Sequence, residues 1–215
     1  MQYPKTKRLI VSLWSLPVSG AIAIFALYLR NFVVLPGEDL LSWAQVVSSK
    51  IYLISQYMYI LAYVLPFFGF WALYMILLQY HVERLAFWGL MGILFGTALP
   101  LTTLGVFAYA SPEMGRLYLA GEAHLPQVIT DIALGSSLVM GTLGAFLYVG
   151  GCTLFGIAVW KSGALHSWAG ILLALHGLLI SFGFSIPPVI VLSWVFLIAS
   201  GISFIWSAGK VQSYG

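Results

Sequence analysis

Six long apolar runs, separated by short polar segments, constrain this chain more than any other feature. Hydrophobic residues make up 61% of the sequence and charged residues only 7%, whereas a soluble domain carries about 25% charged residues. A soluble fold would have too few polar side chains to cover its surface, so lipid is the expected solvent for most of the chain. The sequence therefore predicts an all-α, polytopic membrane bundle that forms one transmembrane domain over residues 1–215.

Each run is long enough to cross a bilayer, which takes about 20 apolar residues in a helix. The first run follows Lys5, Lys7 and Arg8 and contains Ala21-Ile22-Ala23, a sequence like a signal-peptidase site. Because signal peptides have apolar cores of only about 7–15 residues, we expect an uncleaved first span. The six predicted transmembrane helices are 9–29, 51–79, 85–109, 129–160, 168–184 and 188–207.

Loop charges predict the orientation of these spans. With the N-terminus inside, six of the nine Lys and Arg fall on the inner side and five of the six acids on the outer side. Cytoplasmic loops carry the excess of Lys and Arg, so both termini are expected in the cytoplasm, with a bacterial inner membrane as the expected location. Tryptophan prefers the headgroup level, and the predicted inner ends of four spans carry one each: Trp88, Trp160, Trp168 and Trp206.

The two long outer loops are each expected to contain a short interfacial helix. In the first loop, apolar residues between Leu40 and Val47 fall on one helical face behind Glu38 and Asp39, acids that favour a helix N-terminus. The second loop opens with Ser111-Pro112-Glu113, which is typical of a helix start with proline at the first position.

Small residues predict close packing of the third and fourth spans. Gly92 and Gly96 form a small-xxx-small pair, and the fourth span is rich in Gly and Ser; such residues let helices approach closely in lipid. Packing within the chain is the first interpretation, and a homodimer or another membrane-protein partner at this face is the second. Pro66 and Pro100 are expected to kink the second and third spans.

Among the Asp, Glu, Lys, Arg and His residues, only His176 lies in the middle of a predicted span. A buried imidazole needs a hydrogen-bond partner, and Tyr59, Tyr63 or a serine of the fourth span is expected to supply it. Gln56, Tyr59 and Tyr63 share one helical face, so with His176 they are candidates to line a ligand cavity. A purely structural hydrogen bond, haem ligation by His176 and an interfacial position for the tyrosines are the alternatives; the cofactor is left unknown.

A cluster of polar residues in the outer loops is a second candidate site. Carboxylates beside one imidazole can bind a divalent metal or perform acid–base catalysis. No spacing here matches a metal-ligand motif, so no metal is predicted, and a solvated, ion-paired loop is the alternative. The outer polar cluster consists of Glu113, Arg116, Glu122, His124 and Asp131.

Several classes of function have no signature in this sequence. No acid lies deep in a span, as a proton relay requires, and neither His-Glu-x-x-His nor Gly-x-Ser-x-Gly occurs. The Lys and Arg are scattered, so nucleic acid is not an expected partner. Beyond the outer polar cluster, nothing calls for an enzyme.

The C-terminal third has a recognisable pattern. A short turn, Lys161-Ser-Gly-Ala-Leu-His-Ser-Trp, leads into a Gly-containing span and a second short span. This stretch of about 50 residues resembles small six-span bacterial membrane proteins of unknown function, in which a Pro-Arg-Trp-like step stands where this chain has His166-Ser167-Trp168. The resemblance implies a six-span fold and assigns a role to none of the residues.

The leading functional prediction is an integral membrane protein that binds or passes a small or lipid-like ligand from the extracytoplasmic side. Kinked spans, elaborated outer loops and the polar edge at His176 favour it. The alternatives are an accessory subunit of a larger membrane complex and a membrane enzyme that uses His124 with Glu122 or Asp131.

Overall fold

A computed structural model describes residues 6–31, 39–122, 128, 131, 135–182 and 186–213. Within these ranges every regular element is an α-helix, which confirms the predicted all-α class. The helices are α1 Thr6–Leu13, α2 Ser15–Leu29, α3 Leu40–Val47, α4 Lys50–Val64, α5 Pro66–Leu77, α6 Glu83–Leu119, α7 Ser136–Ser162, α8 Ser167–Phe182 and α9 Pro187–Ser213.

Five of the predicted spans are helices long and apolar enough to cross a membrane. They are α1 with α2, α4 with α5, α6, α7 and α9, each at least 23 residues long in the described part. The fifth predicted span, α8, has 16 described residues, about 24 Å of helix against a hydrocarbon core of about 30 Å. The membrane class is therefore supported, while a sixth crossing and the topology stay predictions.

The helices form a closed ring in which each predicted span packs against the next. α2 contacts α4, α4 and α5 contact α6, and α6, α7, α8 and α9 follow in order. The ring closes where α9 returns to α2. Side chains from segments far apart in the sequence therefore meet in its interior.

The backbones of α6 and α7 approach each other closely. A Cβ added to Gly92 would lie 2.8 Å from the Cα of Gly151, and one added to Gly96 would overlap the backbone of Tyr148. This agrees with the expected tight packing of spans three and four, since only small residues allow such contact. Because the Gly92–Gly96 face is occupied within the chain, a homodimer would have to use other surfaces, and it stays a prediction.

The prolines divide some helices and leave others continuous. Pro66 begins α5 directly after the end of α4, and Pro17 follows the boundary between α1 and α2; neither has an N–H for the helix. Pro100 and Pro112 instead lie inside α6, which stays continuous. Gly144 of α7 makes room for the Pro100 ring, since a Cβ there would lie 2.5 Å from the proline Cδ.

The first of the two predicted outer helices is present, and the start predicted for the second at Ser111 is wrong. α3 is the first, and the Asp39 carboxylate accepts a hydrogen bond from the Ser42 N–H at 3.0 Å, capping its N-terminus. No new helix starts at Ser111, because α6 runs through it. α3 packs on this extension so closely that a Cβ on Gly115 would lie 2.5 Å from a methyl carbon of Val47, and this packing helps hold the extension helical past a proline.

The eight tryptophans divide into six exposed and two buried residues. Trp88, Trp160, Trp168 and Trp206 are exposed, and their place at the lipid–water interface stays a prediction. Trp43 and Trp194 are buried, and in the described part of the chain neither indole N–H has a hydrogen-bond partner.

Candidate functional site

His176 lies at the centre of the imidazole group, formed by Tyr148 of α7, His176 of α8 and Ser193 of α9. The Tyr148 Oη lies 3.0 Å from Nε2 of His176. The other ring nitrogen, Nδ1, lies 2.9 Å from the Ser193 carbonyl oxygen and 3.0 Å from its Oγ. All three residues are buried, so the group links three helices in the ring interior.

The partners of His176 fix its tautomer. A carbonyl oxygen can only accept, so Nδ1 carries the proton and donates it to Ser193. Nε2 is then the acceptor for the Tyr148 hydroxyl. Neither ring nitrogen keeps a free lone pair, and a ligand or haem iron at His176 would have to displace Tyr148. The expected partners, Tyr59, Tyr63 or a serine of the fourth span, are not the ones that the structure provides.

The aromatic group lies beside the imidazole group and consists of Tyr59, Tyr63 and Trp194. The Tyr59 and Tyr63 ring centroids are 5.3 Å apart, and those of Tyr59 and Trp194 are 6.1 Å apart. The Tyr63 ring meets Trp194 edge-on at 5.5 Å, a favourable arrangement of aromatic quadrupoles. Trp194 also lies 5.3 Å from the His176 ring, so the two groups are continuous.

Gln56 is buried on α4, the helix that carries Tyr59 and Tyr63, but its side chain is hydrogen-bonded to Tyr52. Its amide nitrogen donates to the Tyr52 hydroxyl at 2.7 Å, and its Oε1 has no partner within the described residues. The predicted set is therefore brought together in part: Tyr59 and Tyr63 join His176 through Trp194, whereas Gln56 lies with Tyr52.

Arg30, at the end of α2, is the residue of this region that sequence reasoning missed. Its side chain is only 2% exposed, and the guanidinium carbon lies 4.5 Å from the centroid of the Tyr59 ring. Because Arg30 directly follows the first predicted span, the loop-charge count places it among the outer charges. A signal was present, since the apolar run resumes directly after Arg30 and Asn31, which places the charge inside a longer apolar stretch.

Two sets of donors in this region lack acceptors. Within the described ranges, Nε and Nη1 of Arg30 and Nε1 of Trp194 are buried without a hydrogen-bond partner. A buried donor left without an acceptor costs about 1–3 kcal/mol, and a charged one costs more. The imidazole group is thus saturated, while its neighbours Arg30 and Trp194 have unused donors.

The outer polar cluster is only partly within the described residues. Glu113 and Arg116 form an exposed ion pair on α6, and Glu122 and Asp131 are also exposed. His124 lies outside the described residues. No group of three or more His, Cys, Asp or Glu that could hold a metal converges within the described ranges, and a metal-binding or catalytic role for this cluster stays an untested alternative.

An apolar recess lies at the start of α9, on a face next to the one that carries Trp194. Its volume is about 440 Å³, and its lining is almost wholly apolar. Its walls are Pro187, Pro188, Val191, Leu192 and Val195.

Fold and site together describe an α-helical protein with five helices long and apolar enough to span a membrane and a polar, aromatic interior. Searches against protein families, curated proteins and solved structures found no match for this chain. The resemblance to six-span bacterial membrane proteins therefore stays a prediction.

Proposed function

We propose that the chain is a six-span protein of a bacterial inner membrane, with both termini in the cytoplasm. Its function is to bind or pass a small or lipid-like ligand that arrives from the extracytoplasmic side. The ligand occupies the region of Arg30 and the aromatic group, rather than coordinating His176 directly.

The unused donors carry this proposal. The Trp194 N–H and two guanidinium nitrogens are buried around the same Tyr59 ring, although buried polar groups are normally paired. A ligand with acceptor oxygens would satisfy them, and aromatic rings with a few polar groups are typical of a ligand site.

The position of these residues favours arrival from the outer side. Arg30 ends α2, and the positive-inside rule assigns that end of the first span to the extracytoplasmic face. The apolar recess on α9 is one helical turn from Trp194 and would suit a hydrocarbon tail. Together these features favour an amphipathic ligand with its polar end at the aromatic group.

The test is mass spectrometry of small molecules that copurify with the protein in mild detergent. Wild type is expected to retain an amphipathic molecule near one per chain. Trp194→Phe removes a donor while keeping a ring and should retain less, whereas Trp88→Phe, a change at an exposed tryptophan, should match wild type. Thermal unfolding of each variant checks that Trp194→Phe remains folded.

Equal retention by wild type and Trp194→Phe, or no retained molecule in either, would count against the proposal. Protein subunits that copurify in fixed ratio would instead favour the accessory-subunit alternative. That partner would have to dock elsewhere than the Gly92–Gly96 face, since α7 already covers it.

A further inference from the structure

Arg30 is a charged residue in an environment that does not neutralise it. Arginine stays protonated under all ordinary conditions, and a buried unpaired charge is among the least favourable groups in a protein. The only ion pair within the described ranges is Glu113 with Arg116, on the exposed surface. Arg30 therefore has its positive charge buried with no described carboxylate to balance it.

The aromatic group compensates for this charge only in part. The guanidinium carbon lies over the Tyr59 ring, 4.5 Å from its centroid, a cation–π contact. Nε and Nη1 still have no acceptor in the described part of the chain. The planar guanidinium carries its donors in a rigid fork that matches the paired oxygens of a carboxylate or phosphate.

We propose that Arg30 is the anion-binding residue of the ligand site and pairs with a carboxylate or phosphate group of the ligand. This inference rests on the proposed ligand-binding function and specifies its chemistry. A neutral alcohol or ketone would satisfy one donor and leave the charge unbalanced. An anion neutralises the charge, and its oxygens can accept from Nε or from Nη1, which lie on different edges of the guanidinium.

The experiment compares two probes that share a hydrocarbon chain and differ in charge, oleate and oleyl alcohol. Their binding to the detergent-purified full chain is measured by native mass spectrometry and by the shift in thermal unfolding midpoint. Wild type should bind one oleate at least tenfold more tightly than oleyl alcohol. Losing a hydrogen bond to a charged group lowers affinity roughly 10- to 100-fold, so Arg30→Gln should abolish the preference.

Two further variants separate charge from geometry. Arg30→Lys keeps the positive charge but loses the fork, and we expect an intermediate preference for oleate. Arg116→Gln removes an exposed arginine on the same predicted side, and because Arg116 already pairs with Glu113, this variant should behave as wild type. If Arg116→Gln lowers the preference for oleate as much as Arg30→Gln does, oleate binding depends only on the net charge of the protein. That result would overturn the inference.

Binding of soluble anions distinguishes an anionic lipid from a small soluble anion as the ligand. If inorganic phosphate or acetate binds in an Arg30-dependent manner and oleate gains nothing from its chain, the inference holds for a soluble anion. If oleate and oleyl alcohol bind equally to wild type, the anion inference fails while lipid binding survives. If none of the probes binds, both proposals fail.

A carboxylate of the chain itself is the remaining competitor for Arg30. Glu38 is the acid nearest to Arg30 in the sequence and lies outside the described residues. A preference for oleate that appears only in Glu38→Gln would overturn the inference, because Arg30 would then already be neutralised in the wild type.

Discussion

At the scale of single residues, the interior of this protein contains polar groups of two kinds. His176 is fully hydrogen-bonded, with Tyr148 on one ring nitrogen and Ser193 on the other. Arg30 and Trp194 are equally buried but keep donors that no described residue accepts. The first kind is expected to stabilise the bundle, because its bonds form on folding. The second kind destabilises the empty site and gives binding energy to a ligand that supplies acceptors.

Tyr148→Phe tests the stabilising role of the imidazole group. The change removes the hydroxyl group that donates a hydrogen bond to Nε2 of His176. We expect the free energy of unfolding to fall by about 0.5–2 kcal/mol, the range for polar contacts between membrane helices. Reversible unfolding in mixed micelles measures it. Tyr28→Phe, at a tyrosine that is 69% exposed, is the control and should change stability little. A similar loss in both variants would contradict the assigned bond.

At the scale of elements, glycines decide how near the helices lie. The neighbouring residues Gly150 and Gly151 illustrate the point, because they have the same chemistry and opposite surroundings. A Cβ on Gly151 would lie 2.5 Å from the Ile93 nitrogen and 2.8 Å from the Gly89 carbonyl oxygen, whereas one on Gly150 would meet nothing within 4 Å. The two residues are identical in type and adjacent in the sequence, and they differ only in whether they face α6.

These two glycines provide a matched pair of variants. Gly151→Ala should force α6 and α7 apart and lower the free energy of unfolding by about 1–3 kcal/mol, as overpacking does in other cores. Gly150→Ala should be neutral or slightly stabilising, since alanine is the better helix former. Thermal unfolding in detergent measures both, and a destabilised Gly150→Ala beside an unchanged Gly151→Ala would refute the interface.

At the scale of the whole molecule, the closed ring brings polar and aromatic residues of separate helices into one interior. α2 supplies Arg30, α4 the tyrosines, α7 Tyr148, α8 His176 and α9 the Ser193–Trp194 pair. Because successive helices pack as neighbours, all five helices reach the same interior. The orientation of this bundle in the membrane depends on whether α8 crosses.

Thiol labelling tests the sixth crossing. Cys152 is the one cysteine of the chain and is buried, so the Cys152→Ala variant has no thiol that a maleimide could label. In that background, Ile186→Cys should react with an impermeant maleimide on intact cells, and Ser167→Cys should react only after permeabilisation. Both positions are exposed and flank α8. Labelling of both from the same side would mean that α8 does not cross.

Sequence reasoning predicted the elements of the fold better than it predicted the site. Apolar runs are a local property, so the long helices appear in the prediction and in the structure, although α6 continues ten residues past its predicted end. The extension of α6 past Ser111 was missed because proline near a polar segment usually marks a helix start, and the packing of α3 against Gly115 is not visible in the sequence. Tyr59, Tyr63 and His176 were found as polar residues in apolar spans, but Trp194 and Ser193 resemble ordinary span residues.

The sequence by itself determined that this chain is helical and has lipid as its solvent, because both follow from hydropathy summed over local windows. It also contained the charge asymmetry from which orientation is predicted. Only the tertiary structure decided which polar residues pair. Tyr148, rather than the expected Tyr59 or Tyr63, is hydrogen-bonded to His176. Arg30, which the sequence places among the outer loop charges, is a buried cation over the Tyr59 ring. The physical reason is that pairing and burial depend on contacts between helices, which residue type and spacing along one helix do not specify.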